Sequence, residues 1–405
     1  MCHMSHNSHV LVDHFSPPFA GRKPRPVACR SLFYSSTMSP IDPPFRADHV
    51  GSLLRPKAVL DAREQFASGA ITAAEKRAVE DQAIADAVHK VESVGMRSIT
   101  DGEFRRTWFH LDFLEQLAGV EVSGAIAASS NAAETVHFTP PRLAVTGPLR
   151  HVRNIQVDDF VYLDGVTTKT PKVSIPSPTM VHFRGGRAAI DIDSYPDMDV
   201  FFADLAQCYR DEIAALYRAG CRYIQLDDTN LAYLCDPKMR AGAVERGDDP
   251  NELPRTYAAL INESLKDRPA DLTVGIHLCR GNFRSTWFAE GGYEPVAEVL
   301  FGDLDVDAYF LEYDDERSGD FAPLRFVPEN KSVVLGLISS KVAELESIDR
   351  LAQRVDEAAK YVPLEQLCLS PQCGFSSTVH GNDITEDVQW AKLKLTVDAA
   401  AHIWR

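Results

Sequence analysis

The side chains with the clearest capacity for chemistry are His277 and Cys279 in GIHLCRGN, Glu312 in YFLEYDDERSGD and Cys373 in LSPQCGFSS. One imidazole, two thiols and one carboxylate form a mixed donor set of the kind that holds Zn²⁺ tetrahedrally. Two thiolates with an imidazole favour zinc over Mg²⁺ or Ca²⁺, which prefer oxygen. His277 and Cys279 sit two apart on a predicted strand, and a period of two points both side chains to one face. A single buried His or Cys at a strand end is ordinarily core packing. Four ligands at three strand ends imply one centre, and without the close Cys pairs of structural sites that centre reads as catalytic.

Such positioning requires strands whose ends converge. From residue 45 onward, β-rich runs alternate with longer helical patterns: 45–52, 96–103, 172–179, 221–228, 272–279, 307–314, 332–339 and 366–373. Eight runs separated mostly by a helix's length predict a single (β/α)₈ TIM barrel, an α/β fold that gathers its chemistry at the C-terminal strand ends. Helical periodicity over 72–94 starts with Thr72 and Glu75 spaced as a capping box, and Gly95 stops it. A second helix over 198–219 closes at Gly220. The stretch 104–170, after the second strand, is too long for a plain connection and predicts an insertion over the barrel mouth, a place suited to a lid. A competing assignment makes RLAVTG, within that stretch, the third strand.

The 405 residues, 45% hydrophobic, suffice for a large core. A formal charge of −16 argues against nucleic-acid and anionic-membrane partners, and no apolar run is long enough to span a bilayer. Eight cysteines in so long a chain do not make a disulfide scaffold. With no secretory signal pattern, the expected location is the reducing cytoplasm. Residues 1–40, rich in His, Ser, Pro and Arg, predict a disordered extension ahead of a catalytic domain over 41–405, and Met38 offers an alternative start.

H-x-C, a Glu one βα unit later and P-x-C-G near the end together resemble the C-terminal barrel of cobalamin-independent methionine synthase, from about residue 44 onward. The resemblance implies that His277, Cys279, Glu312 and Cys373 bind a catalytic zinc. It further implies that Ser52, in the turn His49-Val50-Gly51-Ser52, meets the substrate carboxylate, and that Glu103 in ITDGEFRR and Asp227 in YIQLDD meet its amine. The acids would pair with ammonium and the turn amides with carboxylate. Two positions depart from the family. GLISSK places Lys341 where the long enzyme has a His-bearing segment, and SPTMVHFRGG offers Arg184 where a folate-stacking Trp is expected. The N-terminal barrel of the long enzyme is also missing, so the pattern is similar to a short single-barrel branch.

The function so implied is zinc-dependent transfer of a methyl group to homocysteine, forming methionine, with methyltetrahydrofolate as donor. The alternative is a zinc alkyltransferase using another thiol or a non-folate donor such as methylcobalamin. Asp227, Lys341 and His380 are the candidate acids for the departing group. Arg105, Arg106 and Trp108, with Arg184, are candidate donor contacts.

Overall fold

Runs of Val, Ile, Leu and Tyr bounded by turn residues form the centre of the molecule. The computed structural model describes residues 43–123 and 142–405. The extension expected over 1–40 and nearly all of the SGAIAASSNAAET segment lie outside the described residues. In chain order the strands are β1 (Ser98–Ile99), β2 (Ala118–Ser123), β3 (Arg142–Arg150), β4 (Thr170–Pro171), β5 (Val173–Pro176), β6 (Tyr223–Asp228), β7 (Thr273–Leu278), β8 (Ala308–Glu312), β9 (Ser332–Ile338) and β10 (Leu367–Pro371). The last six make one parallel sheet in the order β10-β9-β8-β7-β6-β5. Helices connect them, and the middle strands are buried along almost their whole length, as a parallel sheet with both faces covered must be.

The first two expected strands take a different form. Residues 45–52 make one isolated bridge, Ala47 to Leu369 beside β10, and 96–103 contributes only β1, which pairs with β4. The reason lies in side chains that compete for the ladder's backbone groups. Lys172 Nζ donates to His49 O at 2.6 Å, Gln225 Nε2 to Val50 O at 2.8 Å and Thr100 Oγ1 to Gly51 O at 2.7 Å. Asp48 accepts from Tyr223 OH at 2.9 Å and Ser98 Oγ at 2.7 Å. Polar side chains thus join these segments where a ladder was expected. After Ile99 the chain turns sharply, with φ of 65° at Gly102 and 59° at Glu103, a region a strand cannot use. The fold is α/β around this parallel sheet.

Both expected helices are present. Ala73–Ser93 begins at Thr72 with the reciprocal capping box to Glu75, and Met198–Ala219 ends at Gly220 with φ 112°. RLAVTG belongs to β3, which pairs antiparallel with β2 in its own two-stranded sheet. That pairing excludes it as a strand of the parallel sheet, whose edge is β5. A buried Glu212 on the second helix holds the segment after β3, accepting from Ile155 N at 2.9 Å and Gln156 N at 2.7 Å. No helix among the described residues is long and apolar enough to cross a membrane.

Candidate metal centre

Each proposed ligand occupies a strand's C-terminal end for a local reason. In β7, Val274, Ile276 and Leu278 face one way and His277 the other; Cys279 continues that alternation, its N–H donating to Asp228 O at 2.7 Å. Glu312 is the last residue of β8. At the end of β10 the register slips between Ser370 and Pro371, where proline has no N–H for the ladder, and Gln372 N resumes pairing at Ile338 O, 2.8 Å. The slip aims Cys373 at Cys279.

The ligand atoms of His277, Cys279, Glu312 and Cys373 lie within 4.8 Å of one another, all buried. The two sulfurs are 3.6 Å apart. That is far longer than a disulfide, roughly 2 Å, and close to the roughly 3.8 Å expected of two thiolates on one tetrahedral ion with bonds of about 2.3 Å. Glu312 Oε1 accepts from Arg280 N at 3.0 Å, while its buried Oε2 has no hydrogen-bond partner. Arg317 Nη2 at 3.5 Å and Lys341 Nζ at 4.0 Å bring positive charge toward it without a hydrogen bond, so Oε2 keeps lone pairs to offer a metal beside the two sulfurs and the imidazole. The donor set therefore fits a metal ion.

The electrostatics agree. Burial alone would lower the His277 imidazole, yet the hydrogen bond to Asp227 and the charges of Cys373, Asp227 and Glu312 hold it up at about 9. The Cys279 contact brings Cys373 down to about 7, helped by His277 and opposed by burial, and correspondingly raises Cys279. Burial pushes Glu312 up, but Lys341, Arg317 and His277 together leave it below the usual carboxylate range. The cluster attracts positive charge.

A cavity of about 270 Å³ opens onto three of these ligands, His277, Cys279 and Cys373. Ser52, Glu103, Arg106, Trp108, Arg184 and Asp227 line the same cavity. Ser52 Oγ accepts from Ser376 N at 3.3 Å. Asp227 Oδ1 stands 3.4 Å from His277 Nδ1 and accepts from Gln225 Nε2 at 2.7 Å, so it orients the imidazole as well as facing the cavity. Burial pushes Glu103 up to about 8, Asp227 and Asp101 adding and Arg106 opposing.

Three expected residues lie elsewhere. Arg105 pairs with Asp81, Asp101 and Asp159 and lines a separate polar cavity. Lys341 does not line the metal-side cavity: its Nζ is 4.0 Å from both Glu312 Oε2 and Asp314 Oδ2. His380 is also outside the lining; its Nδ1 lies 3.1 Å from Thr378 Oγ1, and its ring packs near Trp108 and Phe283, which do line it. Sequence reasoning missed His110, 4% exposed, which lines the cavity with an Nδ1 that has no hydrogen-bond partner. Burial, then Arg184 and Arg106, hold it well below the usual histidine range. Its WFH context carries no motif. Phe109, Phe183, Tyr233 and Phe288 supply an aromatic wall that was equally unmarked.

Comparison with known proteins follows the same lines. Residues 45–402 match the model of the cobalamin-independent synthase catalytic domain. The chain is 48% identical over 364 residues to an uncharacterised Bacillus subtilis protein, YxjH, covering 89% of this chain and 95% of that one. It is 24% identical over 314 residues to a 5-methyltetrahydropteroyltriglutamate–homocysteine methyltransferase of Bacillus velezensis, 76% of this chain but 36% of that longer protein. A crystal structure from Listeria monocytogenes, of a candidate vitamin-B12 independent methionine synthase, superposes with a TM-score of 0.72 at 43% identity, covering 89% of this chain and 98% of that one. The chain is a methyltransferase that belongs to the cobalamin-independent methionine synthase family.

Proposed function

We propose that this enzyme methylates the thiol of homocysteine with the help of Zn²⁺ held by His277, Cys279, Glu312 and Cys373. One observation carries the reading: three of the four ligands share a single cavity with Ser52, Glu103 and Asp227, so a thiol and an amino-acid head can be held together. Zinc, when bound, supplies the Lewis acidity that keeps a substrate thiol in its nucleophilic thiolate form near neutral pH. The protein's own groups do the rest. Asp227 fixes the His277 ring through Nδ1, Glu103 and Asp227 receive the substrate ammonium, and Ser52 faces its carboxylate. Lys341 and Arg317 tune and hold Glu312 from outside the cavity, and the aromatic wall excludes water around the methyl donor. Of the candidate acids, only Asp227 lines the cavity, and the buried His110, whose Nδ1 has no hydrogen-bond partner, adds a further polar contact for the donor.

The decisive assay is methyl transfer to homocysteine from a panel of donors, methyltetrahydrofolates of differing glutamate number and methylcobalamin among them. Product from none of them would defeat the reading. Product from methylcobalamin alone would favour the non-folate alternative, which Arg184 at the expected stacking position already supports. Two substitutions separate the site's halves. Asp227→Asn is expected to weaken zinc binding roughly 10- to 100-fold in a chelator competition, because the imidazole loses its orienting carboxylate. Glu103→Gln should leave zinc binding unchanged and raise the homocysteine KM about tenfold. It should also flatten the pH dependence: in the parent enzyme affinity falls as pH drops below about 8, where the proton on Glu103 competes with the substrate's ammonium. An unchanged KM would remove Glu103 from the amine site.

The same reading extends to architecture. The Ala47 bridge, β1 with β4, and the Leu53 N to Gly102 O bond of 3.0 Å support closure of residues 41–405 into one eight-stranded barrel, with 104–170 as its insertion. The described cysteines, all free, suit a reducing cytoplasm.

A further inference from the structure

The two carboxylates assigned to the substrate's ammonium are already engaged by a cation of the protein itself. The Arg106 guanidinium pairs with Glu103 through Nη2, and its Nη1 lies 4.0 Å from Asp227 Oδ2. These side chains are only 7% and 8% exposed, and two carboxylates so deeply buried are costly to leave without a positive partner. Guanidinium and ammonium therefore compete for the same oxygens.

Arg106 is anchored unevenly. Its backbone is strapped down: Arg55 Nη2 donates to Glu103 O and Arg106 O, both 2.9 Å, and Arg63 Nη2 donates to Arg106 O at 3.1 Å. By contrast, among the described residues its side chain pairs with the two acids, and the buried Nε has no hydrogen-bond partner. The side chain also stands on a partition. Glu103, Arg106, Trp108 and Phe109 line both the metal-side cavity and a second, polar one of about 230 Å³. That second cavity is rimmed by Asp101, Asp112, Glu115 and Asp159. Asp112 accepts from the Thr107 and Trp108 N–H groups, and Glu115 next to it is exposed, its carboxyl raised by partial burial and by Asp112. Arg105 in the same cavity pairs with Asp101 and Asp159, so a guanidinium leaving Glu103 would turn toward Asp112 and Glu115.

We propose that Arg106 is an internal stand-in for the substrate's ammonium group, occupying the amine subsite in the free enzyme and withdrawing into the neighbouring acidic cavity when an amino-acid thiol binds. The inference rests on the amino-acid reading of the site. It makes Arg106 a specificity residue, since only a ligand that brings its own cation can replace the guanidinium without stranding two buried carboxylates.

The test is calorimetric titration of the zinc-loaded enzyme, in mildly alkaline buffer, with methionine and with 4-(methylthio)butanoate, the same molecule lacking the ammonium. Arg106→Met should bind methionine about tenfold more tightly than the parent, the displaced charge-assisted contact no longer competing. The ammonium-free acid should bind both proteins equally. Equal weakening of both ligands would overturn the proposal and make Arg106 a carboxylate contact. Methionine failing to bind even the parent would instead bring down the amino-acid reading on which the proposal stands. A crystal structure of the parent with methionine provides the check independent of any variant: Arg106 turned toward Asp112 and Glu115 supports the inference, and Arg106 still on Glu103 beside a bound ammonium refutes it.

Discussion

Replacing Cys373 with Ser is expected to lower bound zinc from about one per chain to near zero while the fold persists. Serine is nearly isosteric, and Cys373 is buried in a bend at the register slip of β10, so packing loses little. The metal loses much more. A hydroxyl near neutral pH stays protonated and is a poor partner for zinc, whereas the structure already lowers the Cys373 thiol to about 7. Removing a carboxylate behind a ligand costs roughly 10- to 100-fold in metal affinity, so losing a ligand itself should exceed about 100-fold, with activity falling at least in parallel. Cys279→Ser should behave alike. Elemental analysis decides the matter, and full zinc occupancy in both variants would end the assignment of the centre.

Gly336→Ala should damage both stability and the metal site. Gly336 lies in β9, in register with Glu312 of β8 on one side and Ser370 of β10 on the other. A Cβ placed there would fall 2.6 Å from Gln372 Cα and 2.8 Å from Leu311 O. Both are backbone atoms, so no rotamer relieves the clash and the strands must separate. Overpacking of this kind costs about 3 kcal/mol, read as a lower urea midpoint. The atoms forced to move are immediate neighbours of Glu312 and Cys373, so zinc affinity should drop as well. Gly302→Ala is the control, since a Cβ at that position would meet nothing within 4 Å and the backbone there is not left-handed. If Gly336→Ala were as stable as Gly302→Ala, the close approach of β10 to β9 would not be what sets the ligand geometry.

The legible part of this protein was the part governed by local rules. Period two placed His277 and Cys279 on one strand face, the capping box placed the start of Ala73–Ser93, and Gly220 ended Met198–Ala219. What escaped was decided by groups far apart in sequence. Residues 45–52 look like a strand, yet Lys172, Gln225 and Thr100 take their carbonyls by side-chain hydrogen bonds. His110 had no spacing to mark it, and only the packing of the segment after Arg106 brings its imidazole to the cavity.

The sequence by itself determined the donor set and the strand ends that carry it, because side-chain alternation and donor chemistry are properties of short stretches of chain. Only the tertiary structure decided which charges face one another. It paired Arg105 with Asp81, Asp101 and Asp159, put Lys341 beside Glu312 outside the metal-side cavity, and laid Arg106 between Glu103 and Asp227. The physical reason is that a charge acts over a few ångströms of space in a low-dielectric interior, and residue spacing along a chain does not report those distances.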